Sequence, residues 1–371
     1  MRSRAFPLRA LAALAAITLL AGCSAPAATP TSAPMPSQGP LASLDLAADP
    51  RAVEGPSTAV LPSQAIDPID PPARPELPAT VVSHDAGGDL TVTVSDASRV
   101  LGLDLAGSIA ATLAGLGLGD LLVGRDMSTT FPGSEGLPVV TSGAHTVSAE
   151  AVLALRPTLV ITDGTIGPRD VLEQLREAGV TVVFVDNAPS FAGAAQLARD
   201  VAATLGADGA GERLAAAITA DVTAKVAEIA AIAPAPEDRV RILFLYLRGG
   251  SGIFYLFGEE SGADELIRGL SAVDVAAEIG WDGMKPMTDE ALIAANPDLI
   301  LVMSDGLASA GGVDGLLASK PAIALTAAGQ HRRFVDMADG VVLSFGPRTA
   351  EVLDALARAI YAPAPSAPAA G

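Results

Sequence analysis

One stretch of sequence decides the fold, and it reads Val147-Ser-Ala-Glu-Ala-Val-Leu-Ala-Leu-Arg-Pro-Thr-Leu-Val-Ile161. It returns without a gap as Met287-Thr-Asp-Glu-Ala-Leu-Ile-Ala-Ala-Asn-Pro-Asp-Leu-Ile-Leu301. Each copy predicts a short helix followed by a buried strand, because a polar first half precedes an apolar run as long as one strand. Two such units far apart in the chain predict two similar α/β lobes.

The ends of each predicted helix carry the residues that helix ends require. Ser148 and Thr288 stand where a side-chain oxygen can accept an unpaired backbone N–H of the first turn. A Glu two positions further on places negative charge at the positive end of the helix dipole. Pro157 and Pro297 end the helix, since proline lacks the N–H that would continue it. The apolar residues beyond each Pro are typical of a parallel strand covered on both faces.

Composition permits a large folded protein and argues against nucleic acid as a partner. The 371 residues are 50% hydrophobic and 18% charged, which is enough for two domains with a substantial core. The net charge of −19 argues against nucleic-acid binding, which relies on clustered Lys and Arg. Aromatic residues make up only 4% of the chain, so each of them carries information.

The N-terminus has the pattern of an export signal. Arg2, Arg4 and Arg9 precede an apolar run from 10 to 20 that is too short for a permanent membrane span. The run ends in Leu-Ala-Gly-Cys23, which resembles a bacterial lipobox, and Cys23 is the only cysteine. We therefore expect a lipoprotein anchored to the cell membrane through Cys23 and located outside the cytoplasm. The alternative is an ordinary secretory signal with an incidental cysteine.

The pattern along the chain predicts an α/β protein with two lobes, parallel-type sheets and a ligand cleft between the lobes. Helical spacing without an intervening strand predicts a long helix that joins the lobes, the alternative being a helical hairpin within one domain. The expected organisation is a signal peptide (1–22), a lipid-anchored disordered tether rich in Ala, Pro, Ser and Thr (23–80), an N-terminal α/β lobe (81–205), the connecting helix (206–237), a C-terminal α/β lobe (238–362) and a disordered tail (363–371).

The repeated unit, the lipobox and the long helix together resemble the periplasmic binding proteins that deliver ligands to ABC importers. The chain is most similar to the class with a rigid helical spine, which carries haem, cobalamin and ferric siderophores. The stretches 118–124 and 262–267 are also similar to that class, and the resemblance covers roughly Asp96 to Tyr361. It implies an ABC permease as partner, a monomeric binding protein and small closure of the lobes.

Two short segments narrow the resemblance to the haem-binding lipoproteins of actinobacterial hemin uptake. They are Thr141-Ser-Gly-Ala-His145 and Leu245-Tyr-Leu-Arg248. The resemblance implies that His145 from one lobe and Tyr246 from the other ligate the iron of haem b, the transported ligand. It also implies that Arg248 lies beside the tyrosine. Met303, at the end of the second repeat, is a candidate contact for the porphyrin face.

The residue types suit this chemistry. Imidazole and phenolate are both known ligands of haem iron. Arg248 is two residues from Tyr246, which is the strand period, so both side chains share one face. A cation beside a phenol favours the ionised form that binds metal. His145 directly precedes the first repeat, at an edge of the lobe where such folds bind ligands.

Each of these residues also has a purely structural interpretation. His145 could be a solvated loop residue, Tyr246 and Met303 could be core residues, and Arg248 could pair with an acid. Tyr255 and Tyr361 are expected to be structural.

Several further residues remain open. His84 and His331 are expected to lie in polar surface segments. Phe131, in the loop from 125 to 132, is a candidate wall of the cleft. Arg348 and Arg248 are alternative partners for a haem propionate.

Permease docking is expected to use one acidic residue on each lobe. In the first lobe the expected helix position holds Ala111, which leaves Asp104 or Asp120 as the candidates. In the second lobe the candidates are Asp264 and Glu265.

Other functions remain as alternatives. A ferric siderophore or cobalamin carrier of the same class is the first of them. A manganese or zinc carrier would need more ligands than three histidines supply. The chain is not expected to be an enzyme, because it contains no catalytic motif such as G-x-S-x-G, H-E-x-x-H or a P-loop. An adhesion role would fit the lipid anchor but would leave His145, Tyr246 and Arg248 unexplained.

Overall fold

The computed structural model describes residues 39–63, 65–286 and 288–363. The expected signal peptide, Cys23 and residues 364–371 of the expected tail lie outside these residues. The fold class expected from the sequence is confirmed, with two α/β lobes joined by a long helix.

The elements of the first half of the chain are, in order, β1 (Ser57–Ala59), β2 (Ala79–Asp85), β3 (Gly88–Val94), β4 (Val100–Leu103), α1 (Ser108–Gly115), β5 (Thr141–Ser142), β6 (Thr146–Val147), α2 (Ala149–Ala154), β7 (Leu159–Thr162), α3 (Arg169–Glu177), β8 (Thr181–Phe184), α4 (Phe191–Ala203) and α5 (Asp208–Ile232).

The elements of the second half are β9 (Arg241–Arg248), β10 (Ile253–Phe257), α6 (Ala263–Gly269), β11 (Val273–Asp274), α7 (Val275–Glu278), β12 (Met284–Pro286), α8 (Asp289–Ala295), β13 (Leu299–Met303), α9 (Ser304–Ser309), α10 (Gly312–Ser319), α11 (Pro321–Ala324), α12 (Ala327–Gln330), β14 (Phe334–Met337), α13 (Asp339–Val342) and α14 (Thr349–Tyr361).

Both copies of the repeated sequence fold as the sequence predicts. The first forms α2 and β7, and the second forms α8 and β13. The Ser148 hydroxyl accepts a hydrogen bond from the Ala151 N–H at 3.3 Å. The Thr288 hydroxyl accepts one from the Ala291 N–H at 3.2 Å. The same side-chain cap therefore starts the corresponding helix in each lobe.

The sheet of the N-terminal lobe has three parallel strands in the order β4-β7-β8. Every residue of β4 and β7 is buried, as parallel strands covered on both faces require. One face of the sheet packs on α1 and α4, and the other packs on α2 and α3.

The sheet of the C-terminal lobe is mixed, with strand order β1-β14-β13-β9-β10-β12 and β11 beside the start of β9. Strands β1, β14, β13, β9 and β11 are parallel to one another. Strands β10 and β12 run antiparallel to their neighbours, because a turn at Gly249–Ser251 sends the chain directly back along β9. The expected parallel-type sheet thus carries an antiparallel arm.

Helix α5 joins the lobes. Its 25 residues span about 37 Å at the α-helical rise. It packs beside α4 and also against α14 of the C-terminal lobe, so it bridges the lobes and forms a helical pair at the same time. Apolar residues of both lobes and of α5 belong to one continuous core.

The lobes also touch at Gly340, in α13. A Cβ atom at this position would lie 2.3 Å from the carbonyl oxygen of Ser128, in a loop of the N-terminal lobe. Only glycine permits this backbone contact, so the spacing of the lobes is fixed at a second place.

The expected disordered tether is corrected for the part from Gly39 to Thr80. Leu41 is fully buried, and its N–H donates to the Glu228 carboxylate at 2.8 Å. Strand β1 extends the C-terminal sheet beside β14. Few apolar residues suffice here, because they enter a core that the rest of the chain has already formed. We call residues 39–78, apart from residue 64, the strap.

The strap runs from one lobe to the other. Near its start, the N–H of Ala47 donates to the carbonyl oxygen of Tyr361 at 2.8 Å. Near its end, the N–H of Ala73 donates to the carbonyl oxygen of Leu116 at 2.8 Å, and that of Glu76 to Leu205 at 3.0 Å. The strap is thus a second segment of chain that spans both lobes, beside the α4–α5 pair.

A buried arginine holds the middle of the strap. The Arg333 guanidinium donates to the Ser57 hydroxyl at 2.7 Å, to the carbonyl oxygen of Gly55 at 3.2 Å and to that of Ala359 at 2.6 Å. Burial lowers the pKa of Arg333 to about 10. The group nevertheless keeps its charge at neutral pH, and backbone oxygens solvate it in place of water.

Within the described residues, no helix combines the length and apolar character needed to cross a membrane.

Replacing Leu41 by Ala is expected to lower the free energy of unfolding by about 2–5 kcal/mol, because it leaves a cavity in the shared core. Urea denaturation of a soluble form starting after Cys23 measures this. Val60→Ala is the matched control, since Val60 is 53% exposed and its loss should change little. Equal stabilities of the two variants would show that the strap does not contribute to the folded core.

Candidate functional site

Strand β9 presents different residues on its two faces. Its alternate leucines point into the core of the C-terminal lobe, and these are Leu243, Leu245 and Leu247. The residues between them, Phe244 and Tyr246, point to the opposite face, and Arg248 follows at the same spacing. Tyr246 is half-buried and Arg248 is exposed at the end of the strand.

Tyr246 and Arg248 form a pair. The Arg248 Nε–H donates to the Tyr246 phenol oxygen at 2.6 Å, and the guanidinium carbon lies 5.7 Å from the ring centroid. This hydrogen bond is the main cause that raises the pKa of Arg248. The phenol oxygen thus accepts a hydrogen bond from a permanent cation.

Stacked aromatic rings hold the Tyr246 ring. The Tyr246 and Phe257 rings lie 5.7 Å apart at 12°, and those of Phe257 and Phe244 lie 5.2 Å apart at 9°. Three parallel rings on neighbouring strands leave the phenol little freedom to rotate.

His145 lies between the two short strands β5 and β6, which pair antiparallel. Its backbone is in the left-handed region, with φ of 56°. A non-glycine residue in this conformation costs about 1–2 kcal/mol, and such positions concentrate at functional sites. The structure maintains it by anchoring β6, where the Val147 N–H donates to the Gly167 carbonyl at 2.6 Å.

The imidazole of His145 lies within electrostatic reach of the C-terminal lobe, because the charge of Arg248 acts on it. Burial lowers the pKa of His145, and the positive charge of Arg248 lowers it further. The Nδ1 atom is buried and has no hydrogen-bond partner among the described residues. The His145 imidazole on one lobe and the Arg248 guanidinium on the other are therefore close enough to interact electrostatically.

Met303 ends β13 and is half-buried against the shared core. The preceding residue, Val302, pairs with Leu245 in a parallel register. Met303 consequently lies beside Tyr246 on the same face of the sheet, which agrees with either a ligand contact or core packing.

The structure adds exposed apolar side chains that the sequence pattern did not point to. In the N-terminal lobe, Leu105 is 50% exposed and Met127 is 38% exposed. The Met127 N–H bonds the Thr141 hydroxyl, which places it near the His145 hairpin. In the C-terminal lobe, Met284 is 54% exposed and pairs in register with Phe257. Such surface favours an apolar ligand.

The expectation that Phe131 walls the cleft is wrong. Phe131 is 8% exposed and belongs to the shared core. Met127, from the same loop, provides the exposed apolar side chain instead. The periodicity of a loop does not reveal which of its apolar residues turns inward, so the sequence could not separate the two.

The remaining candidates lie apart from this arrangement. His84 is exposed on β2, and its Nδ1 lies 3.0 Å from the Asp89 carboxylate. His331 follows α12, and its carbonyl accepts the N–H of Gly55 in the strap. Tyr361 is buried and donates to the Leu270 carbonyl at 2.6 Å, a structural role as expected.

Arg348 and Tyr255 are two further residues named from the sequence. Arg348 is 8% exposed at the start of α14, so protein covers the surface that a propionate would need. Tyr255, expected to be structural, pairs directly with Tyr246 and shares its sheet face, and its role stays a prediction. The register of the β9–β10 hairpin determines which residue lies beside Tyr246. That register could not be read from the sequence.

The candidate docking acids differ in exposure. Asp104 is fully buried and accepts backbone N–H groups at the start of α1, so it cannot contact a permease. Burial and the neighbouring charge of Asp126 raise the pKa of Asp104 to about 8. Asp120 is exposed. Asp264 and Glu265 both bind Arg268, at 3.2 and 3.0 Å.

In the part of the chain that the structure describes, no three His, Cys, Asp or Glu side chains come together as a metal site would require.

Residues 105–340 match the model of the family described as periplasmic binding protein. The chain therefore belongs to the periplasmic binding protein family. It is 28% identical over 298 residues to the uncharacterised ABC transporter substrate-binding lipoprotein YvrC of Bacillus subtilis (strain 168), covering 80% of this chain and 90% of that protein.

Solved structures give similar matches. The crystal structure of the haem-binding protein HmuT is 42% identical, covers 84% of this chain and 99% of that chain, and has a TM-score of 0.79. The apo form of the periplasmic haem-binding protein RhuT from Roseiflexus sp. RS-1 is 37% identical, covers 72% and 98%, and has a TM-score of 0.65.

Arg248→Gln is expected to raise the pKa of His145 towards its ordinary value, because the substitution removes the cation that disfavours the imidazolium. Burial, the larger cause, remains, so the pKa should stay below that value. A proton NMR titration of the ligand-free protein measures it. His84 is the internal control, and its titration should not move. An unchanged pKa of His145 would contradict the proximity of the two residues.

Proposed function

We propose that this chain is an extracytoplasmic, lipid-anchored protein that captures haem and delivers it to the permease of an ABC importer. The observation that carries the proposal is that Arg248 of one lobe hydrogen-bonds Tyr246 and also acts electrostatically on His145 of the other lobe. We propose His145 and Tyr246 as the two axial ligands of the iron, and Met303 as a porphyrin contact.

The chemistry of the two side chains suits ferric haem. The lowered pKa of His145 keeps its imidazole neutral, which is the form that binds iron. The Tyr246 oxygen accepts a hydrogen bond from a guanidinium, which supports the negative charge of a phenolate ligand. The stack with Phe257 prevents the phenol from turning away.

The exposed apolar residues support a flat, apolar ligand. Leu105 and Met127 on one lobe and Met284 on the other offer surface that a porphyrin would cover. A large exposed apolar surface is unfavourable in water unless a ligand or partner covers it.

The relatives support haem over the other ligands of this class. HmuT and RhuT are haem-binding proteins by their descriptions. Further structures of HmuT are variants in which an Arg, a Tyr or a His is replaced by Ala. These are the same three residue types as Arg248, Tyr246 and His145. A ferric siderophore or cobalamin remains the alternative cargo, with the same fold and partner.

The matching family is described as periplasmic binding protein, and YvrC is described as an ABC transporter substrate-binding lipoprotein, which supports a binding role for this chain in place of an enzymatic one. YvrC is a lipoprotein by that description. Together with the lipobox at Cys23 and the export signal before it, this supports attachment to the outer face of the cell membrane. Action as a monomer is part of the same proposal.

An absorption titration with ferric haem tests the function. We expect a saturable Soret change at a ratio of one haem per protein. His145→Ala and Tyr246→Ala should each weaken binding at least tenfold and shift the spectrum, because each removes one bond to the iron.

His331→Ala is the matched control for this titration. Like His145, His331 has a buried Nδ1 without a hydrogen-bond partner among the described residues, but it lies beside the strap. It should bind haem as the unaltered protein does. A larger effect of His331→Ala than of His145→Ala would move the site. No saturable change in the unaltered protein would exclude haem and favour a siderophore or cobalamin.

Cys23→Ser should release the protein from the membrane fraction, because a hydroxyl cannot carry the thioether lipid. Fractionation of cells that express either form measures the distribution. Ser24→Ala, the neighbouring substitution, should leave the protein membrane-bound. Retention of the Cys23→Ser form in membranes would show a different means of attachment.

A further inference from the structure

Tyr255 occupies an unexplained place beside the proposed iron ligand. It pairs directly with Tyr246 across β9 and β10, so the two side chains share a face with Cβ atoms about 5 Å apart. On its other side it pairs with Pro286 of β12. Tyr255 thus stands between the proposed ligand and the edge of the sheet, and it is half-buried.

Among the described residues, the Tyr255 hydroxyl is the one phenol without a hydrogen-bond partner. The chain has three tyrosines, and the structure describes all of them. Tyr246 accepts from Arg248, and Tyr361 donates to Leu270. The Tyr255 hydroxyl makes no hydrogen bond among the described residues, and it is not among their enclosed unpaired atoms. It is therefore a donor accessible from solvent, on the same sheet face as Tyr246.

The two neighbouring cations, Lys285 and Arg248, are engaged elsewhere and leave the position beside the Tyr255 hydroxyl to a ligand. Lys285 of β12 pairs with Leu256, so it points to the other face, where its ammonium lies 5.8 Å from the Trp281 ring. Arg248 is already committed to the Tyr246 oxygen. Within the described part of the chain no cation contacts Tyr255, and its hydroxyl can donate a hydrogen bond.

Resting on the proposed function, we infer that the Tyr255 hydroxyl donates a hydrogen bond to a carboxylate of the bound haem and so fixes the orientation of the porphyrin in its plane. A hydrogen bond from a neutral donor to a carboxylate is among the stronger ones. A carboxylate that enters a half-buried site needs such a donor to replace water. Tyr255 is in this sense a specificity-determining residue.

The test compares haem with haem dimethyl ester, in which both carboxylates are masked. The unaltered protein should bind haem more tightly than the ester. Tyr255→Phe should reduce that preference about tenfold, the equivalent of one charge-assisted hydrogen bond, and leave the Soret maximum in place. Tyr361→Phe, which also removes a single phenol hydroxyl, should keep the full preference.

Each outcome decides one question. If the protein binds haem but Tyr255→Phe retains the full preference for haem over the ester, the inference fails and the proposed function stands. If Tyr255→Phe shifts the Soret maximum, Tyr255 ligates iron and the carboxylate role is wrong. If the unaltered protein does not bind haem, the proposed function and this inference fail together.

Discussion

The continuous apolar core that runs from the N-terminal lobe along α5 into the C-terminal lobe sets the geometry on which the site depends. His145 and Arg248 belong to different lobes, and the charge of one reaches the other only at a fixed spacing. The strap and the close contact at Gly340 fix the same spacing at two further places. Interiors packed in this way deform little, so the cleft is held ready before a ligand arrives.

The residues of the candidate site lower the stability of the folded protein. His145 adopts a left-handed backbone and buries an Nδ1 without a partner, and Met284 exposes apolar surface. Stability elsewhere in the molecule offsets these costs, which is the usual arrangement at functional sites. A ligand that bonds to the imidazole and covers the apolar surface would remove part of the cost. The same residues thus link binding to stability.

The two lobes and their capped helices could be predicted because their signals are local. The hydroxyl of Ser148 or Thr288 caps the helix that follows it. The Pro nine residues later ends that helix before the next strand, so each signal concerns only its immediate neighbours. The strap could not be predicted, because its few apolar residues are buried only by a core made elsewhere, and composition alone favoured disorder. The pairing of Tyr255 with Tyr246 depends on hairpin register, and the inward turn of Phe131 depends on tertiary packing. For the candidate site, the residue types could therefore be predicted from sequence, but their neighbours could not.

Because the strap is folded onto the lobes, the segment of chain between the proposed lipid anchor and the folded protein is short. If Cys23 carries the lipid as proposed, only residues 24–38 separate it from Gly39, whose carbonyl accepts a hydrogen bond from Arg358 of α14 at 2.7 Å. Fully extended, 15 residues reach about 50 Å, whereas a free segment to residue 80 would reach about 200 Å. The shorter segment of chain keeps the cleft closer to the lipid headgroups. A membrane-embedded partner then meets it at a higher effective concentration.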